Sequence, residues 1–228
     1  MKYILKSSEE IIITYILNYI LIIITGLIYN TLGYGNLEYL VNNIIPYILL
    51  IFYILTIIYL YKKNYIKEPK VPTKQYFPLI LLGIALATLL NMIIFLIIPS
   101  SNQVTIPAFL AIISSGIIGP IYEEILFRYL LYNRLKKKYS IKKSILITTI
   151  IFALIHISPI KIIYAFILGL ILNVVYEKYH NIIAPILIHI SANTIVIFLY
   201  EDNTYIFLLS IINLITSIKL NNLKFTKS

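Results

Sequence analysis

Residues 11–29 read IIITYILNYILIIITGLIY, a stretch with no charged side chain. A helix needs about 20 consecutive apolar residues to cross the hydrocarbon core of a bilayer. Comparable apolar runs occupy 40–61, 77–98, 105–135, 144–158, 160–176, 182–200 and 204–218. The chain is 60% hydrophobic and 12% charged, whereas a soluble domain carries about a quarter charged residues. The expected fold is therefore all-α: a polytopic transmembrane helical bundle of about eight spans. Three N-terminal transmembrane helices fall in 1–104 and a core in 105–200. A last helix with a basic tail fills 201–228. No small-residue cleavage site follows the first run, so it is expected to stay as a helix rather than leave as a signal peptide.

The charges sort by loop. Basic residues cluster at 2–6, 62–74, 134–143, 178 and 219–227, whereas the alternate loops carry Lys161 as their basic residue. Lys and Arg mark cytoplasmic loops, so an even number of spans with both termini in the cytoplasm is expected. The same rule accounts for the net charge of +10 without a nucleic-acid partner. The lipid bilayer is the implied partner, in what looks like a prokaryotic plasma membrane. There is no cysteine, which excludes disulfides, thiolate catalysis and thiolate-held metals.

Against this background, GPIYEEILFRYLLY (119–132) stands out. Charges inside spans are costly and usually mark function. The polar groups counted at depth are Glu123, Glu124 and Arg128 in the fourth run, His156 in the fifth, and His189 and Asn193 in the seventh. At 1.5 Å per residue, Glu123 lies roughly 16 Å from Arg134, His156 about 20 Å from Lys143, and His189 about 12 Å from Asn181. The three helices thus bring these groups to comparable depth. Glu124 and Arg128 are four apart and can pair, which leaves Glu123 free. Pro120 suits a first helical turn, so this run is either one kinked span or two helices, the second starting near Ile121. Both glutamates are expected in the first turn after Pro120, where the helix dipole favours negative charge. Phe152 is four before His156 and can wall the site. His189 and Asn193 share a face, and Pro185 is expected to free the Asn181 carbonyl and kink that helix toward the site.

Each residue also has a plainer reading. A lone histidine or asparagine in a span is commonly interhelical glue, and a Glu–Arg pair four apart is often structural. The combination is more specific. Asp202 is the one aspartate, H-E-x-x-H is absent, and SSGIIG (114–119) has no nearby histidine. Hydrolysis by an activated water remains. Glu123 would take its proton, His156 would hold it, and His189 with Asn193 would donate to an oxyanion.

EEILFR (123–128), FALIH (152–156) and HISAN (189–193), in that order, resemble the CAAX prenyl endopeptidase type 2 and bacteriocin-processing family, also called CAAX protease/Abi. The approach GLILNVVYEKYHNIIAPILIH (169–189) is similar too, and the resemblance spans 105–200. It implies an intramembrane endopeptidase acting on a small peptide or protein terminus. It assigns water activation to Glu123 and His156, oxyanion stabilisation to His189 and Asn193, and site building to Glu124 and Arg128. A divalent metal such as zinc, if bound, would take Glu123, His156 and His189, although these form no recognised ligand motif. A non-catalytic immunity or scaffold protein using the same cluster for binding is the alternative. A proton-coupled transporter comes last, because no inverted repeat is visible.

Overall fold

The computed structural model describes residues 2–34, 36–64, 68–97, 108–156, 158–198 and 214–216. Regular structure among them is entirely helical. Five helical stretches are long and apolar enough to cross a membrane: Tyr3–Thr31, Leu40–Lys63, Thr73–Ile94, Phe109–Lys136 and Pro159–Tyr179. The first six expected runs thus appear as five long passes and, for the fifth run, a shorter α8 (Ile141–Leu154). The seventh run forms α10 (Ile183–Phe198), which is also short. At 14 residues, α8 rises about 21 Å, less than a full hydrocarbon core. It stops because the backbone tightens at His156, whose N–H turns back to Ala153 O, and Pro159 opens α9 (Pro159–Tyr179) directly after. Of the run expected at 204–218, only 214–216 lie within the described residues.

The N-terminal pair, α1 (Lys2–Thr31) and α3 (Ile45–Lys63), turns much of its apolar surface outward. Ile16, Ile20, Ile23 and Leu27 are exposed on α1, and Ile51, Leu55 and Ile58 on α3. Such a surface is stable against acyl chains, not against water. Between them, α2 (Leu37–Tyr39) and a π-helical turn (Leu40–Ile44) lead into α3. The next helix, α4 (Tyr76–Ile97), packs closely on α10. Ala87 on one side and Ala184, Ile188 and Ala192 on the other are fully buried in one cluster. Small residues let two backbones approach where no hydrophobic effect drives helices together in lipid.

The central helix is continuous from 108 to 136 but changes its winding. It passes from α5 (Ala108–Ala111) through a π-helical stretch (Ile112–Ile118) into α6 (Gly119–Glu124). A second π-helical stretch (Ile125–Tyr132) then leads to α7 (Asn133–Lys136). The single-span alternative is thus the one adopted, and Glu123 and Glu124 do not sit at a free helix N-terminus. Proline removes a donor, so carbonyls upstream of Pro120 lose their usual partners. Gly119 N–H reaches back to Ser114 O. Ser115 O accepts instead from Asn193 Nδ2 (3.1 Å) and Gly116 O from Thr194 Oγ1 (3.4 Å), both on α10. The expected kink at Pro185 does not arise either. α10 begins at Ile183, which places Pro185 in the first turn, where its missing N–H costs nothing.

The basic segments meet at one end of the bundle, as alternating passes require. Glu10 on α1 pairs with Lys63 on α3 (2.9 Å) and with Arg134 on α7 (2.5 Å). Lys136 reaches Glu177 on α9 at 2.6 Å.

Candidate functional site

Arg128 is fully buried in a π-helical wall whose eight residues, 125–132, are all buried, and Glu124, the last residue of α6, is fully buried just before it. Arg128 Nη1 donates to Glu124 Oε1 at 2.8 Å, Nη2 donates to Gly169 O at 3.0 Å, and the guanidinium carbon sits 4.5 Å from the centre of the Phe152 ring. The cation is thereby held by a carboxylate, a carbonyl and an aromatic face from three helices. Gly169 makes the arrangement possible: a Cβ there would lie 2.7 Å from Phe152 Cδ1.

His189 connects the two glutamates. Its Nδ1 bonds Glu124 Oε1 at 2.7 Å, and its Nε2 lies 3.7 Å from Glu123 Oε2. Glu124 thus orients the imidazole through one nitrogen and leaves the other aimed at Glu123. The Glu123 side chain is 23% exposed, whereas Glu124 is closed off entirely. The two atoms are too close for a water in line between them, but one water beside the pair can bond both.

His156 stands on the other side of Phe152. Its Nδ1 meets Phe152 O at 2.9 Å; a carbonyl only accepts, so Nδ1 carries the proton and Nε2 is left as the acceptor. Phe152 touches both imidazoles edge-on, with centroids 5.1 Å from His156 and 6.0 Å from His189. Asn193, one turn beyond His189, spends one amide N–H on Ser115 O.

The expected residues therefore gather unequally. Glu123, Glu124, Arg128, Phe152 and His189 form one connected cluster. His156 joins it through Phe152 and makes no ion pair with Glu123 among the described residues. Asn193 is tied to the broken turn before Pro120. The proposed metal set of Glu123, His156 and His189 does not close: among the described residues no three His, Asp or Glu side chains converge to hold a metal ion. Two participants escaped the count of polar groups at depth. Gly169 contributes a carbonyl, and Asn173 donates to that same carbonyl and to Thr149 Oγ1, both at 3.0 Å. Asn173 had a visible signal, an amide in an apolar run four residues after a glycine.

Residues 103–195 match the Rce1-like family, described as type II CAAX prenyl endopeptidase Rce1-like. The matched segment is similar to that family and covers less than half of the chain. It holds every residue of the cluster. A stretch of 88 residues is 33% identical to "Putative membrane peptidase YdiL" of Bacillus subtilis (strain 168), covering 39% of this chain and 36% of that protein. The matched stretch thus spans little more than a third of that relative. No solved structure matches the chain. The family segment takes in the central helix, α8, α9 and most of α10. α1, α3 and α4 lie outside it.

Proposed function

We propose that the chain is an intramembrane endopeptidase that hydrolyses a peptide bond with a water activated at Glu123. The observation carrying this reading is His189, bonded to Glu124 at 2.7 Å and facing Glu123 at 3.7 Å inside the family segment. A base, a histidine and a residue orienting that histidine are the usual parts of an activated-nucleophile site.

In this mechanism a water lies beside Glu123 Oε2 and His189 Nε2, within hydrogen-bond reach of both. Glu123 accepts its proton as the oxygen attacks the carbonyl carbon of the scissile bond, and gives that proton to the leaving nitrogen as the tetrahedral intermediate collapses and the C–N bond breaks. His156 Nε2 helps to hold the water. The second amide N–H of Asn193 donates to the developing oxyanion, while its first keeps the residue in place on Ser115 O. Glu124, Arg128 and Gly169 O hold His189 in position and do not touch substrate. Among the described residues no three His, Asp or Glu side chains converge on a metal, and each step uses this chain's own side chains. The substrate class proposed, a small peptide or a protein terminus, follows the family resemblance of the segment.

The test compares peptide ends in cells carrying wild type and Glu123→Gln. A set of new ends should accompany wild type and fall on the order of 100-fold in the variant. Identical ends in both would remove the activity and leave the cluster as a binding site.

A further inference from the structure

Two hydroxyls on α8 lack a bond that six other hydroxyls of the bundle make. Ser8, Thr14, Thr25, Thr88, Ser114 and Ser191 each donate to the carbonyl four residues back on their own helix. That local bond is the ordinary way a hydroxyl is accommodated in an apolar span. Ser144 and Thr148 are fully buried, yet among the described residues neither hydroxyl has a hydrogen-bond partner. The same holds for Asn173 Oδ1, Arg128 Nε and Glu124 Oε2, all on residues with no exposed surface.

By helical spacing, four residues per step from Phe152 through Thr148 to Ser144, the two hydroxyls fall in one stripe of α8, and α8 packs on α9 and the central helix. The deepest layer is Arg128, Phe152 and Gly169. One turn closer to the lysine-rich end, Asn173 on α9 meets Thr149 on α8, beside Thr148. One turn further come Ser144 on α8 and Glu177 on α9. There Glu177 Oε2 accepts from Tyr132 Oη at 2.7 Å and Lys136 Nζ at 2.6 Å. The Lys136 and Glu177 side chains are 29% and 19% exposed, so this layer reaches the surface. Each helix supplies a polar group at successive turns: 144, 148 and 149 on one, 169, 173 and 177 on the next, 128, 132 and 136 on the third.

Buried polar atoms without a protein partner are expensive, and native proteins satisfy them with ordered water that makes about three hydrogen bonds apiece. We propose that this seam holds a file of ordered water, bound by Ser144, Thr148 and Asn173, that joins the buried Glu124–Arg128 pair to solvent at the lysine-rich end. The file supplies water and exchangeable protons to the back of the cluster, on the side away from Glu123. It stands whether or not the cluster cleaves peptides.

The absence of cysteine makes a direct test possible. Thr148→Cys and Ala87→Cys each introduce one thiol at a fully buried position, the first in the seam and the second at the α4–α10 contact. Full-length proteins in lipid nanodiscs are moved into D2O, and exchange of S–H for S–D is followed by infrared spectroscopy. Thr148→Cys should exchange roughly tenfold or more faster than Ala87→Cys. Adding Asn173→Leu should slow the Thr148→Cys thiol to the Ala87→Cys rate. Equal rates for the two single-cysteine proteins, or fast exchange that survives Asn173→Leu, would overturn the proposal. Ser144→Cys serves as the seam probe if circular dichroism shows that Thr148→Cys misfolds. The readout is exchange and not turnover, so an inactive but hydrated protein would count against the peptidase reading alone.

Discussion

Glu124 Oε1 serves two partners at once, Arg128 Nη1 at 2.8 Å and His189 Nδ1 at 2.7 Å. The arrangement turns one carboxylate into both a counter-ion and an orienting group. A buried pair adds little stability by itself, but removing one member leaves the other charged and uncompensated, at about 3–5 kcal/mol. Arg128→Met should therefore lower the thermal midpoint of the detergent-solubilised protein by on the order of 10 °C. Arg128→Lys should keep the charge but lose the simultaneous contacts with Gly169 O and the Phe152 face, and so fall between the two. Unchanged melting of Arg128→Met would show that the guanidinium does not hold the cluster together. Asn193 illustrates how a residue can have two roles. Its bond to Ser115 O is the interhelical glue that an asparagine in a span commonly supplies, and it fixes the very side chain assigned to the oxyanion.

Among the elements, α10 matters most, because it carries His189 and is held from two sides. On one side its Asn193 and Thr194 fill the carbonyls released by Pro120. On the other, α4 approaches it at Gly83, where a Cβ would lie 2.1 Å from Ser191 Oγ and 2.2 Å from Ile188 O. The second of these atoms is backbone and cannot rotate away. Gly83→Ala should force the helices apart and displace His189 relative to Glu124, even though α4 lies outside the family segment. Gly169→Ala meets Phe152 Cδ1 at 2.7 Å, a ring that can shift, so it should cost less, about 1–3 kcal/mol. Thermal midpoints of the two variants measured together decide this order; a milder effect for Gly83→Ala would contradict the assigned α4–α10 contact.

Across the whole molecule, the segment before α4 is stapled to the family segment. Glu68 Oε1 accepts from Tyr176 Oη and Oε2 from Ile182 N–H, both at 2.8 Å. Tyr176 Oη in turn accepts from Asn133 Nδ2 at 2.6 Å, which brings the central helix into the same knot. Burial pushes the Glu68 carboxyl above its ordinary value, and the bonds from Ile182 and Tyr176 offset only part of that rise. The folded state thus holds the Glu68 proton more tightly than the unfolded state. Its contribution is fully present below the unfolded pKa and is lost as pH rises through the higher folded one. Relative to Glu68→Gln, wild type should gain thermal stability as pH is lowered through that window. A difference between the two midpoints that does not vary with pH would contradict this linkage.

The apolar runs determined that the chain is a helical membrane bundle, because an unbroken stretch of such length has no other stable way to satisfy its backbone in lipid. Spacing was also enough for the Glu124–Arg128 pair, since four residues along one helix bring two side chains together whatever surrounds them. Periodicity within a helix says nothing of its partner across a gap. Only the tertiary structure turned His189 to Glu124, spent an amide of Asn193 on Ser115 O, and drew Gly169 and Asn173 into the support of Arg128. It also kept the helix running through Pro120, because side chains from α10, far along the chain, take the carbonyls that proline leaves without a donor.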